Sequence, residues 1–332
     1  MSELVAKILK GDTKAMAKVI SLIENNSPIA KDALKIIHKQ PRRAHVIGVT
    51  GPAGVGKSCL VNQLINEFRS KRKLVGVLAI DPTSPFTGGA ILGDRVRMKD
   101  HILDPDVFIR SMGSRGSLGG ISKATGSAVK VLDTSGKDIV IIETVGSGQV
   151  QVDIAKYAQT VVVVLMPKLG DEIQAMKTGL LEIGDIFVVN KADIGEADRT
   201  VLEIEESLNV IQKPRNAAKK NGGEWKKPIL QTVSLTSEGV PDLVSQIEKH
   251  REFIIKTGAI KELVKKRIEN EIINAIILKL EDYVKTETRD MREYEEILEE
   301  TVTGDIDPNS AAEKIISRLL NRKKTSASFE SN

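Results

Sequence analysis

The sequence predicts an α/β protein with a mostly parallel, doubly wound sheet, flanked by N-terminal helices and a C-terminal helical arm. From residue 45 onward, short runs rich in Val and Ile alternate with longer amphipathic stretches. Most of these runs lack polar alternation, which is typical of strands that helices cover on both faces. Outside this region, apolar residues recur at helical spacing. We predict strands at 45–50, 74–80, 107–110, 138–142, 160–166, 185–190 and 229–233.

The two helical ends set the expected domain boundaries. Leu4, Ile8, Met16 and Val19 are spaced as on amphipathic helices before the sheet region. After residue 256, an isoleucine-rich stripe from Ile260 to Val284 follows one face of a long helix. We therefore expect an N-terminal helical segment (1–43), a sheet domain (44–256), a C-terminal helical dimerisation region (257–322) and a disordered polar tail (323–332).

The isoleucine stripe predicts a homodimer. It is longer than a lone helix needs against its own domain, and an exposed apolar surface of that size is typical of an association site. The alternative is that the stripe packs back onto the sheet domain.

Composition excludes several classes of protein. The 332 residues include Lys+Arg 49 and Asp+Glu 45, a net charge of +4, whereas proteins that coat nucleic acid are usually more basic. Cys59 is the only cysteine, so an internal disulfide and a cysteine metal cluster are both excluded. The N-terminus has no apolar leader, and no apolar run reaches the ~20 residues of a membrane helix. We expect a cytoplasmic protein that binds neither membrane nor nucleic acid.

A phosphate loop follows the first predicted strand. Residues 51–58 read GPAGVGKS, the GxxxxGK[ST] pattern, with a strand before and an amphipathic helix after. Glycines let backbone N–H groups converge on phosphate oxygens, and the helix presents its positive N-terminal end. Lys57 would reach the β- and γ-phosphates, and the Ser58 hydroxyl would ligate Mg²⁺. The pattern predicts a P-loop NTPase whose nucleotide-binding residues here are Gly51, Gly54, Val55, Gly56, Lys57, Ser58 and Cys59.

A second motif, which we call the base loop, is NKAD at residues 190–193. The Asp193 carboxylate can accept hydrogen bonds from guanine N1–H and the 2-amino group, and adenine lacks both donors. A site built for such donors discriminates strongly, so GTP is favoured over ATP. Asn190 would support the loop and base N7, and the stem of Lys191 would cover the base face. After the next strand, the segment Ser234, Leu235 and Thr236 is a candidate source of a backbone N–H for guanine O6.

The strand at 138–142 leads into a candidate catalytic segment. In P-loop NTPases a carboxylate at this position organises Mg²⁺, and a following glycine contacts the γ-phosphate. Glu143 and Gly146 fit these roles, and direct and water-mediated ligation by Glu143 are both open. Gln149 would orient the attacking water, or it is a solvated residue at a helix start. Lys57, Glu143 and Gln149 are the candidate catalytic residues.

Further carboxylates and arginines follow the second strand. Asp81 and Asp94 would complete an oxygen shell around Mg²⁺ with Ser58 and Glu143, or they cap helices. Four arginines are candidate phosphate or partner contacts, although surface arginines are usually only solvated. They are Arg95, Arg97, Arg110 and Arg115.

Four long segments carry a family resemblance. They read IDPTSPFTGGAILGDRVRM, FIRSMGSRGSLGG, IIETVGSGQ and MPKLGDEIQAMKTGLLEIGDIFVVNKAD. From about residue 1 to 305 the chain resembles the MeaB/ArgK family of GTPases, which includes MMAA. The resemblance implies a P-loop GTPase domain with a C-terminal dimerisation arm. It implies GTP and GDP as ligands, Mg²⁺ as metal, and slow GTP hydrolysis without a partner.

The resemblance also implies a partner and a role. Family members bind adenosylcobalamin-dependent acyl-CoA mutases, chiefly methylmalonyl-CoA mutase, gate cofactor loading and protect the mutase. Carried over by position, it supports the phosphate, metal and guanine roles given above for Lys57, Ser58, Asp81, Asp94, Glu143, Asn190 and Asp193. It makes Pro167–Lys177 a mobile element that responds to nucleotide and partner.

Other functions share parts of this pattern. A nickel metallochaperone GTPase usually carries His-rich tracts or paired Cys/His ligands, whereas this chain has 4 His and 1 Cys. A signal-recognition-type GTPase would need a Met-rich appendage, and the 7 Met are scattered. A kinase or transport-linked ATPase, as in older descriptions of ArgK, would share the phosphate loop without needing the base loop.

Overall fold

The computed structural model describes residues 2–25, 27–41, 43–81, 99–101, 103–113, 124–144, 150–167, 179–212, 223–289 and 292–329. The chain divides into two compact units, Met1–Arg267 and Ile268–Asn332. The division falls inside a long helix, Ala259–Arg289. The sequence-based boundary at 256 falls just before that helix.

Within the described residues, the first unit contains a seven-stranded sheet in the order β3-β2-β4-β1-β5-β6-β7. Every neighbouring pair is parallel, which confirms the predicted fold class and each predicted strand. The strands are β1 (His45–Thr50), β2 (Val75–Asp81), β3 (Val107–Gly113), β4 (Ile139–Thr144), β5 (Thr160–Leu165), β6 (Ile186–Asn190) and β7 (Ile229–Thr232).

The central strand positions the site. All six residues of β1 are buried, and β4 and β5 flank it. Chain order reverses around β1, and open α/β sheets bind ligands outside the carboxyl ends of their strands at such a point. The phosphate loop, Glu143 and the base loop all lie at carboxyl ends of strands at this edge. Helices cover both faces of the sheet, and most residues of its central strands are apolar and buried.

The helices of the first unit are α1 (Ser2–Leu9), α2 (Thr13–Glu24), α3 (Pro28–His38), α4 (Lys57–Ser70), α5 (Thr125–Thr134), α6 (Val150–Asp153), α7 (Leu180–Ile183), α8 (Ala197–Gln212) and α9 (Val240–Lys256). Asp12 caps α2 by accepting a hydrogen bond from Ala15 N at 2.8 Å. Arg110 on β3 donates to Ser21 Oγ on α2 at 3.0 Å and pairs with Glu24. The N-terminal helices are thereby fastened to an edge strand of the sheet.

The C-terminal part is helical, as the loss of strand runs predicts. It comprises α10 (Ala259–Arg289), α11 (Arg292–Thr303) and α12 (Pro308–Phe329). Composition predicts disorder from residue 323, but α12 continues to Phe329, so that boundary lies inside a helix. A membrane-spanning helix is not found in the described part of the chain.

A buried polar network lies at the opposite, amino-terminal edge of the sheet. His45 Nε2 is 2.7 Å from Thr160 Oγ1, which is 2.8 Å from His250 Nδ1. His250 Nε2 is 3.6 Å from the Asp185 carboxylate, and that carboxylate accepts from Val161 N at 2.8 Å. Burial lowers the pKa of His45 to about 3 and of His250 to about 4, and it raises the pKa of Asp185 to about 6. Both imidazoles are therefore neutral at pH 7.

Trp225 packs against this network. Its indole N–H donates to the Asp185 carbonyl at 2.9 Å, and its ring lies 4.8 Å from that of His250 and 5.5 Å from that of Phe253. Helix α9, which carries His250 and Phe253, is thus held to the sheet by both polar and aromatic contacts.

The network makes the stability of the protein dependent on pH. Because the folded-state pKa of His250 lies below the ordinary value of 6.5, stability falls as pH drops below 6.5. Asp185 acts in the opposite direction between about pH 6 and 4, since its folded-state pKa is raised. When the pH is lowered from 7 to 5, the unfolding free energy of the wild type should fall by roughly 1–2 kcal/mol more than that of His250→Asn, which has no imidazole at this position. Urea unfolding at both pH values measures this difference, and equal losses would contradict it.

Candidate active site

The phosphate loop depends on glycine at two points. Gly51 has φ +143, and a Cβ there would lie 2.0 Å from Val164 O. Gly56 has φ +90, and its Cβ would lie 2.5 Å from Asn190 Nδ2. Side chains at either position would collide with β5 or with the base loop, so the loop is packed between them. Cys59 lies in the first turn of α4 with an exposed thiol.

The two polar side chains at the start of α4 are both buried. Lys57 Nζ donates to Gly51 O at 2.9 Å and to Pro52 O at 2.6 Å, which places the ammonium within the loop. Ser58 Oγ donates to Glu143 Oε1 at 2.6 Å. A hydroxyl and a carboxylate in contact are oxygen ligands of the kind that Mg²⁺ takes, and the helix N-terminus favours anions.

Asn190 joins the base loop to the phosphate loop. It is 1% exposed, and its Nδ2 donates to Val55 O at 2.8 Å. Its Oδ1 accepts from Ser234 Oγ at 2.7 Å, from Ser234 N at 3.2 Å and from Thr232 Oγ1 at 3.0 Å. The three segments predicted to bind nucleotide are therefore fixed to one another by one amide.

Lys191 and Asp193 of the base loop are more accessible than the buried Asn190. Lys191, at φ 58, donates through Nζ to Gly54 O at 2.8 Å, so its stem bridges the two loops. Asp193 is exposed in a 3₁₀ turn, Ala192–Ile194, where its carboxylate is open to an incoming base. Leu235 is 84% exposed in the turn after β7.

Several predicted site residues lie outside the described residues. They are Asp94, Gly146, Gln149 and all but the first residue of Pro167–Lys177. Asp81 ends β2 at the same edge as Glu143, and its backbone alone is described. Of the four arginines considered, Arg110 contacts α2, and Arg95, Arg97 and Arg115 are outside the described part of the chain.

Sequence reasoning misses two buried threonines at this edge. Thr144 Oγ1 donates to Thr50 Oγ1 at 3.0 Å, and Thr50 Oγ1 donates to Gln151 O at 3.1 Å. Each threonine is the last residue of its strand, next to a motif that was recognised. Spacing along the chain gives no sign that they meet, because the two positions are 94 residues apart.

Comparisons with known proteins agree with this geometry. The model of a family described as methylmalonyl Co-A mutase-associated GTPase MeaB matches residues 16–289. A Pyrococcus horikoshii protein named as a GTPase is 47% identical over 325 residues, covering 97% of this chain and 99% of that protein. A Caenorhabditis elegans protein named methylmalonic aciduria type A homolog, mitochondrial, is 30% identical over 338 residues, covering 95% of this chain and 82% of that protein.

A solved structure shares the fold. That of a LAO/AO transport system kinase superposes with a TM-score of 0.64 at 20% identity, covering 96% of this chain and 97% of that one. At this identity the likeness concerns the P-loop fold alone. The family model, by contrast, spans the phosphate loop, Glu143 and the base loop together. The chain belongs to the MeaB family of GTPases.

Proposed function

We propose that this protein is a GTP-binding and GTP-hydrolysing chaperone that gates cobalamin loading into an acyl-CoA mutase and protects that mutase. The observation that supports it most is the bond from Asn190 to Val55 O, which joins a phosphate loop to a guanine-type base loop within a MeaB-family chain. A guanine reader held against a phosphate loop favours GTP over ATP.

Different residues of the chain would bind the phosphates and the base of the nucleotide. Loop backbone N–H groups and Lys57 would bind the β- and γ-phosphates, for which the ammonium would turn from the loop carbonyls. Asp193 would accept from guanine, and the turn at 234–236 would donate to O6. Lys191 Nζ donates to Gly54 O, and the stem of Lys191 is proposed to cover the base face.

Ser58 and Glu143 suit a magnesium ion, and Asp81 and Asp94 are proposed to complete its shell. Their oxygens are hard ligands, and Ser58 and Glu143 are within hydrogen-bond distance of each other. A bound Mg²⁺ would neutralise charge on the phosphates. Gln149 is proposed to orient the attacking water, and Lys57 to stabilise charge on the γ-phosphate oxygens.

The partner is proposed from the family. The matching model is described as mutase-associated, and the C. elegans relative is named for methylmalonic aciduria. A partner that orders catalytic groups makes intrinsic hydrolysis slow, as in other GTPases with helper proteins. We therefore expect slow turnover alone and faster turnover with the mutase.

Steady-state GTP turnover should rise at least about tenfold when an adenosylcobalamin-dependent acyl-CoA mutase from the same organism is added. Lys57→Ala should be inactive with and without the mutase, which separates this activity from contaminants. A fast rate that the mutase does not change would exclude the chaperone role. The absence of GTP turnover in both samples would exclude the enzyme as well.

We also propose a homodimer through α10. Five apolar side chains on this helix are between 51% and 56% exposed in the single chain, namely Ile272, Ile273, Ile276, Ile277 and Leu280. Light scattering should give twice the chain mass, and Ile276→Glu should give the monomer mass. Val302→Glu is the matched control, since Val302 is an exposed apolar residue on a different helix, α11. A wild-type monomer at micromolar concentration would contradict the dimer.

A further inference from the structure

A hydroxyl relay connects three segments at the carboxyl edge of the sheet. Gln151 O can only accept, so the single hydroxyl hydrogen of Thr50 is committed to it, and Thr144 must be the donor to Thr50. Neither threonine has exposed surface. In such a dry site each of these hydrogen bonds restricts position strongly, because an alternative partner from solvent is missing.

The relay links residues that adjoin the proposed catalytic groups. Thr50 directly precedes the phosphate loop, and Thr144 directly follows Glu143. Gln151 lies in α6, the helix that begins after residues 145–149. The hydroxyl of Thr50 is thus the point at which the phosphate-loop strand, the carboxylate strand and α6 meet.

A second contact fixes the same part of the chain to β1. A Cβ at Gly48 would lie 2.7 Å from Ile154 Cγ1 and 2.9 Å from Ala158 Cβ, so residues 154–158 pack directly on the β1 backbone. Side-chain packing and the Thr50–Gln151 hydrogen bond therefore hold the region from α6 to Ala158 at one position along β1.

We propose that Thr50 is a positioning residue for GTP hydrolysis, acting through Gln151 and Thr144 to hold α6 in register with the phosphate loop. This inference rests on the proposed function, namely that GTP is hydrolysed at this edge. Thr50 contacts neither the phosphate-loop amides nor the base loop through its hydroxyl, so nucleotide affinity should not depend on it. The geometry of the reacting groups should depend on Thr50, because α6 begins where the catalytic segment ends.

Three threonine variants test the relay. Thr50→Val should lower kcat about tenfold and leave the Kd values of GTP and GDP within about threefold, since misplacing a catalytic segment affects the reaction more than binding. Thr50→Ser should restore kcat to within about threefold, because the donor to Gln151 remains. Thr144→Val should have a smaller effect than Thr50→Val, because it leaves the bond to Gln151 intact. Hydrogen exchange of residues 150–158 should be faster in Thr50→Val.

A second variant displaces the same segment without changing a hydroxyl, and both variants are compared only as folded protein, judged by urea unfolding. Gly48→Ala would displace Ile154 and Ala158, and it should show the same loss of kcat with unchanged nucleotide Kd. An unchanged kcat in folded Thr50→Val, or equal losses in kcat and affinity in both variants, would overturn the proposal. A wild-type chain that binds GTP but never hydrolyses it would overturn the proposed function and this inference together.

Discussion

Asp193→Asn is expected to shift base preference from guanine toward xanthine. The wild-type carboxylate can accept both guanine donors, and its exposed position at the base loop leaves it open to them. Asparagine offers one acceptor and one NH₂ group, which would face the 2-amino group of guanine, donor against donor. With the base bound, these two NH₂ groups would be buried and unsatisfied, which costs about 1–3 kcal/mol, and a charge-assisted bond is lost as well. GTP affinity should therefore fall by roughly two orders of magnitude.

The structure of xanthine explains why the affinity of Asp193→Asn for XTP should rise. It carries a carbonyl where guanine has the amine, so it can accept from the new NH₂. Competition titrations of GTP, XTP and ATP against both proteins measure the shift. Asp198→Asn is the matched control, since Asp198 is a nearby exposed carboxylate that accepts from Gln231. Wild-type GTP affinity in Asp193→Asn, with no gain for XTP, would remove Asp193 from the proposed guanine site.

Asn190→Ala should cause a large combined loss of stability and nucleotide binding. The change leaves Val55 O, Ser234 and Thr232 without the amide that now joins them in a buried position. With each unsatisfied buried group costing about 1–3 kcal/mol, we expect unfolding free energy to fall by about 3 kcal/mol or more. GDP affinity should fall by roughly a hundredfold, because the two loops lose their fixed spacing.

Asn190→Asp tests the phosphate-loop side of the amide. It keeps an oxygen for Ser234 and Thr232, but its second oxygen faces Val55 O, so a hydrogen bond is replaced by repulsion between two acceptors in a buried position. Its losses of GDP affinity and of stability at pH 7 should therefore be at least as large as those of Asn190→Ala. Asn66→Ala on α4 is the control, since this exposed amide bonds Gln63 and should change stability by no more than about 0.5 kcal/mol. Similar stability in Asn190→Ala and wild type would contradict the structural role.

Most of the fold can be predicted because its signals are local. Each strand is a contiguous apolar run, and the phosphate and base loops are contiguous motifs beside such runs. The sequence predicts that Asn190 supports the loop and base N7. The contact with N7 stays a prediction, whereas the structure shows the Asn190 amide holding the two loops and Ser234 together. That tie depends on residues up to 135 positions apart, and no local pattern encodes it.

Contacts between distant strands are the part that sequence reasoning misses. Thr50 meets Thr144 because the register that pairs Val49 with Glu143 continues by one residue. His45 meets Thr160 across 115 residues because β1 and β5 are neighbouring strands of the sheet. Arg110 is a further case, since its ion pair with Glu24 depends on which helix covers the sheet edge. Strand order must be known before any of these contacts can be derived.

The aromatic contacts of Trp225 at the amino-terminal edge of the sheet give this protein an intrinsic fluorescence reporter. Trp225 is its only tryptophan, so intrinsic fluorescence excited at long wavelength comes from one position. That position is against His250 and Phe253, across the sheet from the nucleotide loops. Emission should therefore follow the detachment of α9 and global unfolding, while staying insensitive to GTP or GDP. Nucleotide titrations will need a labelled ligand, and the same tryptophan signal can serve as their internal standard for folded protein.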